Sequence, residues 1–205
     1  MPQPLIEDFD NLSFEDWLNF VFDSKWSSSK YEDYVELEDL GGDIDVFVKN
    51  CIKLFENPAF LLENYDSEQL EGGFFGFILN PKVSLNWWIW NKENSPDLRR
   101  QFIFSSVNVF KQVFTKNSLK NSCFMWWDSL RDFSEDKDRQ VINWMFIALS
   151  QILEINSLEC QMSALHGLGH IEHGGKKKLI EEFLRKHRNF ADKDYAMAAI
   201  VGNIM

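Results

Sequence analysis

Residues 156–187 carry two helical patterns separated by a short turn, and this feature constrains the fold more than any other stretch of the chain. Ser157 stands where a helix N-cap belongs, and Gly174 and Gly175 separate the first pattern from the second, KKKLIEEFLRKH. A turn this short predicts an antiparallel helical hairpin. Because each helix has one apolar face to bury, we expect the hairpin to be the repeating unit of a stack of helix pairs.

The first helix of this pair combines apolar rows with a row of small side chains. The apolar residues predict two buried rows: Leu158, Met162 and Leu165, and Ala164, Leu168 and Ile171. Cys160, Ser163 and Gly167 form the small row, which lets another helix approach closely. Since a glycine inside a helix costs about 1 kcal/mol relative to alanine, tight packing is the reason that we expect for Gly167.

The phrase CQMSALHGLGHI resembles the first helix of a HEAT or armadillo-type repeat, with Ala164, Leu165, Leu168, Gly169 and Ile171 at the matching places. The order of signals along the chain also resembles a family of bacterial proteins of unknown function. Those proteins share an SFEDWLNFVF-like helix near the amino terminus, a central WWD and an ALHGLGH helix near the end. The resemblance covers most of the chain and implies an all-α fold of stacked antiparallel helix pairs, a HEAT/armadillo-like α-α superhelix. It implies no activity and no site.

The rest of the chain predicts one domain over residues 1–205, with an acidic, loop-rich part at 1–45 and the helical stack at 46–205. Capping and breaking residues predict helices that begin near Ser13, Ser67, Ser95, Asp136 and Asp192. The second of these runs to residue 79, although residues 74–79 also fit a strand. The aromatic stretch SLNWWIWNKENSP has no clear period, which is typical of a connecting segment. No repeat of fixed length is visible.

The net charge of −11 is concentrated at the amino-terminal end, where residues 1–50 hold 13 acidic and 3 basic residues. This imbalance excludes nucleic acid as the expected partner, because phosphate binding requires clustered cations, and it favours a basic protein. Three isolated cysteines and an acidic amino terminus without a signal peptide indicate the cytoplasm. The sequence contains no run of apolar residues long enough to span a membrane.

Two surfaces are candidate binding sites for a protein. The first consists of Trp87, Trp88 and Trp90, because tryptophan is enriched in binding hot spots, although three indoles in a connecting segment usually fold onto the core. The second is the acidic set Glu36, Glu38 and Asp39, because clustered carboxylates speed the encounter with basic proteins. The alternative role of those carboxylates is solubility.

Three of the four histidines, His166, His170 and His173, follow one another at i, i+4 and i+7. This spacing projects them to one helical face, where they could hold zinc or another transition metal if a carboxylate from a neighbouring helix completed the site. The alternative is a structural or pH-sensitive polar face, since no HExxH motif supplies a general base. Asp128 and Asp132, beside two tryptophans, fit an acid/base pair, but such carboxylates more often cap helices or pair with arginine.

These observations favour a non-enzymatic helical-repeat module that binds another protein and has no cofactor and no catalytic residues. One alternative is a metal-dependent enzyme that uses the His166, His170 and His173 face. The other is an acidic, immunity-type protein that neutralises a basic toxin.

Overall fold

The computed structural model describes residues 9–23, 36–117, 119–132 and 137–204 of the chain. Within these ranges the secondary structure is helical and has no strand, which confirms the all-α part of the predicted fold class. The α-helices are α1 (Phe14–Val21), α2 (Ile44–Glu56), α3 (Leu61–Asn64), α4 (Ser67–Glu71), α5 (Leu85–Trp90), α6 (Pro96–Val109), α7 (Lys120–Ser129), α8 (Arg139–Leu153), α9 (Leu158–His170), α10 (Lys176–Lys186) and α11 (Lys193–Val201). No helix in these ranges has the length and apolar character that a membrane span requires.

Two helices continue into wider, π-helical turns. The segment Gly72–Ile78 extends α4, so the helix predicted for residues 67–79 is present and the alternative strand is not. The segment Phe110–Phe114 extends α6 in the same way. Gly73 is needed in the first of these segments, because a Cβ at this position would overlap the ring of Phe22.

Side-chain caps fix where several helices begin. Ser13, Ser95 and Ser157 accept hydrogen bonds from backbone N–H groups in the first turns of α1, α6 and α9, as the sequence predicted. Asp66 and Gln69 form a reciprocal capping box at α4. The carboxylate of Glu71 accepts hydrogen bonds from the backbone N–H groups of Asn121 and Ser122, although it lies on a different helix, and so it joins the end of α4 to the start of α7.

Helix α9 lies at the centre of the carboxyl-terminal half, where it packs against α7, α8 and α11. Helix α6 packs against α2 on one side and α8 on the other. Helix α10 packs mainly against α11 and also against α8. Helices α9 and α10 therefore make their main contacts with other helices, and the stacking of such hairpins into a superhelix stays a prediction.

A cluster of aromatic rings forms the middle of the core. The ring of Trp126 lies between Phe55, Phe74, Phe110 and Phe114, with centroid distances of 5.5 to 5.9 Å. These rings come from α2, α7 and the two π-helical segments. The contacts are mostly tilted or edge-to-face, which is the favourable arrangement for aromatic pairs.

The row of small residues on α9 allows α7 to approach closely, as predicted. The hydroxyl of Ser163 donates to the backbone carbonyl of Cys123 at 2.5 Å. A Cβ at Gly167 would lie 2.8 Å from the Cβ of Trp127 and 2.6 Å from Leu149 Cδ2. The close contact between α7 and α9 therefore depends on the small size of Ser163 and Gly167.

Four local predictions need correction or lie outside the described residues. The stretch predicted as a connection contains α5, because Leu85, Trp88 and Ile89 are buried at helical spacing. Leu158 was predicted to be buried but is 46% exposed. It is the first residue of α9, and this end of the helix lies outside the core. The start predicted at residue 136 lies outside the described residues, and Asp138 caps α8. Residues 24–35 of the predicted loop-rich part also lie outside them.

Candidate functional site

Two histidines of α9 and one carboxylate of α7 converge on a single point. His166 and His170 are one helical turn apart, and their Nε2 atoms approach to 3.1 Å with the rings nearly perpendicular. Asp128 Oδ1 lies 3.0 Å from His170 Nε2 and 3.9 Å from His166 Nε2. We call Asp128, His166 and His170 the His-Asp cluster. It contains two of the three predicted histidines and a carboxylate from a neighbouring helix.

His173 does not belong to this cluster. Helix α9 ends at His170, and Ile171 continues in an extended conformation, so the predicted helical spacing does not reach residue 173. The His173 ring stacks on Phe146 with a centroid distance of 3.7 Å, and its Nδ1 atom accepts a hydrogen bond from the backbone N–H of Gly175. The prediction of one face with three histidines is wrong at this residue.

Neighbouring groups hold both rings of the cluster. The Nδ1 atom of His166 is 2.5 Å from the hydroxyl oxygen of Tyr195 on α11, and its ring packs on Phe124. The Nδ1 atom of His170 is 3.1 Å from Arg131 Nη1, which also lies 3.6 Å from Asp128 Oδ1. The cluster therefore connects α7, α9 and α11 through side chains.

The donors and acceptors around the rings determine which nitrogen carries the proton. An arginine can only donate, so His170 Nδ1 accepts and His170 Nε2 carries the proton. That proton is shared between two acceptors, Oδ1 of Asp128 and Nε2 of His166, so Nε2 of His166 carries no proton of its own. His166 then carries its own proton on Nδ1 and donates it to the oxygen of Tyr195. The result is a continuous chain of hydrogen bonds from Arg131 to Tyr195.

Burial keeps both imidazoles neutral at pH 7. Burial, together with the neighbouring His166 and Arg131, lowers the pKa of His170 to about 4, against the attraction of Asp128. Burial also lowers the pKa of His166, against the attraction of Asp128. The pKa of the Tyr195 hydroxyl is raised by burial and by the Asp128 charge. Neutral imidazoles are the form that binds a metal ion.

Asp128 pairs with an arginine, which was the favoured interpretation of the Asp128 and Asp132 pair. Asp128 contacts the two histidines and Arg131, whereas Asp132 lines a narrow cavity beside His170 that has room for about one water molecule. Trp126 is in the aromatic core, and Trp127 packs on α9 and lines the same cavity. The two tryptophans are therefore packing residues.

A second site lies at α5 and the segment before α2. A groove of about 590 Å³ is lined by Glu36, Glu38, Asp43, Trp87 and Asn94, among other residues. The indole of Trp87 is 74% exposed, and Glu36 and Glu38 are exposed as well. We call this the Trp87 groove. It joins two surfaces that the sequence predicted separately.

The other residues of those two surfaces lie elsewhere. Trp88 is buried and donates its indole N–H to Asp45, and Trp90 donates to the backbone carbonyl of Leu130. These two indoles fold onto the core, as the alternative interpretation held. Asp39 is exposed but does not line the groove.

The sequence did not indicate a third surface, an apolar groove between the first two turns of α7 and of α9. It has a volume of about 480 Å³ and is lined mainly by Phe124, Met125, Leu158 and Met162. It was missed because Leu158 and Met162 were predicted to lie in a buried row.

Comparisons of the chain with protein families, with curated proteins and with solved structures found no match.

Proposed function

We propose that this chain is a non-enzymatic protein-interaction module that binds a basic segment of another protein in the Trp87 groove. The observation that carries the proposal is the position of Trp87, whose indole is 74% exposed beside Glu36 and Glu38. A single groove thus offers an apolar ring and negative charge together. This combination matches the side chain of arginine or lysine, which has an apolar stem and a cationic end.

The proposed architecture is a HEAT- or armadillo-like stack of helices, a shape that presents extended binding surfaces. Packing between helices that are near one another in the sequence supports it, since α8 packs on α9 and α10 packs on α11. The stack extends toward the amino terminus through the contacts of α6 with α2 and α8.

The indole supplies most of the binding energy in this proposal. Covering roughly 150 Å² of its surface would contribute about 4 kcal/mol before the costs of ordering the partner are subtracted. The carboxylates mainly increase the association rate and select for positive charge. Asp43 contributes less, because its side chain already accepts hydrogen bonds from the backbone N–H groups of Asp45 and Val46.

A narrower form of this function is the neutralisation of a basic toxin by an immunity-type protein. The distribution of charge favours it, because residues 1–50 carry almost the entire net charge of −11 and include Glu36 and Glu38 of the groove. A cytoplasmic location fits this role and is supported by the three free, buried cysteines.

The test compares binding by the native chain, Trp87→Ala, and the double variant Glu36→Gln/Glu38→Gln. An arginine-rich probe peptide is titrated against each protein, and partners captured from cells are quantified in parallel. We expect Trp87→Ala to weaken binding at least about tenfold. We expect the double variant to slow association and to reduce its dependence on salt.

The matched control is Glu181→Gln/Glu182→Gln, which removes the same charge from α10, far along the chain from the groove. It should bind as the native chain does. Equal binding by native protein and Trp87→Ala would contradict the proposal. So would an equal loss in the control, because that result would indicate an effect of net charge alone.

A further inference from the structure

We propose that Asp128, His166 and His170 form a binding site for one divalent transition-metal ion of the zinc class. The ligand atoms are the Nε2 atoms of both histidines and Oδ1 of Asp128. The proposal is independent of the Trp87 groove, which none of these residues lines.

The spacing of the three atoms matches the size of such an ion. Their separations are 3.0, 3.1 and 3.9 Å. A circle through three points with these separations has a radius of about 2.0 Å and its centre inside the triangle, and zinc lies about 2.0–2.2 Å from imidazole nitrogen and carboxylate oxygen. An ion at the centre, or slightly above the plane, is therefore at bonding distance from all three atoms without movement of the helices.

The donor set selects the class of metal. Two imidazoles and one carboxylate suit zinc, cobalt, nickel and copper, whereas magnesium and calcium prefer shells made of oxygen alone. Three protein ligands leave one position of a tetrahedral shell for water or for a group from another molecule. Asp128 is the most exposed of the three ligands and gives the site its access to solvent.

One ring is already supported as a metal ligand requires. A histidine bound through Nε2 donates its Nδ1–H to an acceptor that fixes the ring. His166 has this arrangement, because its Nδ1 atom lies beside the Tyr195 hydroxyl. Both rings also come from one helix at i and i+4, a spacing that directs them to the same side.

The His170 ring is held by Arg131, whose positive charge competes with a metal ion. Arg131 donates to His170 Nδ1 and lies 3.6 Å from Asp128. Its positive charge therefore already compensates the Asp128 carboxylate, which a bound ion would otherwise do. When an ion binds, the His170 proton must move from Nε2 to Nδ1, and Arg131 must turn away. The Arg131 side chain is 36% exposed, which leaves it room to do so. Arg131 therefore lowers the affinity of the site and can be removed to test it.

The experiment uses the full chain without a histidine tag. Zinc is titrated in competition with a chromophoric chelator, and cobalt is titrated while its visible absorption is recorded. We expect one ion per chain and a cobalt spectrum typical of nitrogen and oxygen ligands. Asp128→Asn and His170→Gln should each weaken binding by at least about tenfold. Circular dichroism establishes that each variant is folded.

Two further variants distinguish this site from nonspecific binding by surface histidines. His173→Ala removes the nearby histidine that lies outside the cluster, and it should bind as the native chain does. Arg131→Gln removes the competing charge and supplies an oxygen that can accept from His170 Nδ1–H, so its affinity should rise by roughly tenfold. Absence of stoichiometric binding, or a loss in His173→Ala equal to that in the cluster variants, would overturn the proposal.

Discussion

Replacement of Gly167 by alanine tests the close approach of α7 and α9, on which the His-Asp cluster depends. The new Cβ would lie 2.6 Å from Leu149 Cδ2 and 2.8 Å from Cβ and Cγ of Trp127. Carbon atoms in a packed core prefer separations of about 3.5–4.0 Å. Leu149 can rotate the end of its side chain, but the Cβ of Trp127 is fixed to its backbone. Relief of the overlap therefore requires α7 to move away from α9.

The expected sign of the effect is opposite to that at an exposed helical glycine. Alanine would stabilise an isolated helix by about 1 kcal/mol relative to glycine. Overpacking costs about 1–3 kcal/mol, and a longer distance from Ser163 to the Cys123 carbonyl forfeits about 0.5–1.5 kcal/mol more. We expect a net loss of about 1–3 kcal/mol, which lowers Tm by about 2–12 °C for a chain of this size.

Thermal and urea unfolding measured by circular dichroism provide the assay, and Gly174→Ala is the matched control. A Cβ at Gly174 meets nothing within 4 Å, so this substitution should stabilise the protein by about 0.4–1 kcal/mol. If Gly167→Ala were as stable as Gly174→Ala, there would be room for a Cβ at residue 167, and α7 and α9 would lie farther apart than in the structure. That result would also remove the basis for placing Asp128 beside the two histidines.

Three further predictions concern the rest of the fold. Asp138→Asn leaves the guanidinium of Arg99, which is 3% exposed, without its ion pair, so the variant should lose about 3–5 kcal/mol in urea unfolding at pH 7. Burial alone would raise the pKa of Asp138, but hydrogen bonds from Arg99 and the Gln140 N–H lower it below its usual value. The stabilisation is therefore complete above the unfolded pKa of about 3.9 and is lost as pH falls through the lower folded value, so the difference between native protein and Asp138→Asn should shrink in acid. Asp66→Ala removes the capping box of α4 and should cost about 1 kcal/mol in thermal unfolding. The three cysteines are buried, so a thiol reagent should modify them only when urea unfolds the chain, and rapid reaction in the native state would contradict their placement.

Capping residues explain why much of the helical layout could be predicted from the sequence. Ser95 followed by Pro96, and Ser157 followed by Glu159, determine where α6 and α9 begin through hydrogen bonds within one turn. Such contacts are local, so their pattern in the sequence is sufficient. The beginning of α7 could not be inferred in this way, because its cap is Glu71, which lies about 50 residues earlier in the chain.

Helix α5 shows why the aromatic stretch was interpreted incorrectly. Its buried residues Leu85, Trp88 and Ile89 follow a helical period, but exposed Trp87 interrupts the apolar pattern. A sequence pattern does not distinguish a buried tryptophan from an exposed one. In the structure, Trp88 and Trp90 donate their indole N–H groups to other parts of the protein, whereas Trp87 faces the groove. The exposed indole that supports the proposed function was thus also the obstacle to predicting its helix.

The small residues of α9 link the predicted fold to the His-Asp cluster. Ser163 contacts Cys123 of α7 and Gly167 contacts Trp127 of α7. Cys123 and Trp127 are one helical turn apart, as Ser163 and Gly167 are. The residue after Trp127 is Asp128, and the residues three positions after Ser163 and Gly167 are His166 and His170. Once the small side chains align α7 with α9, the carboxylate must lie beside the two imidazoles. The sequence supplied the histidine pair and the need for a carboxylate, but the identity of that carboxylate depended on which helix fills the small row. The stability of the α7–α9 contact and the affinity for a metal ion should therefore fall together in Gly167→Ala, whereas Asp138→Asn should lose stability alone.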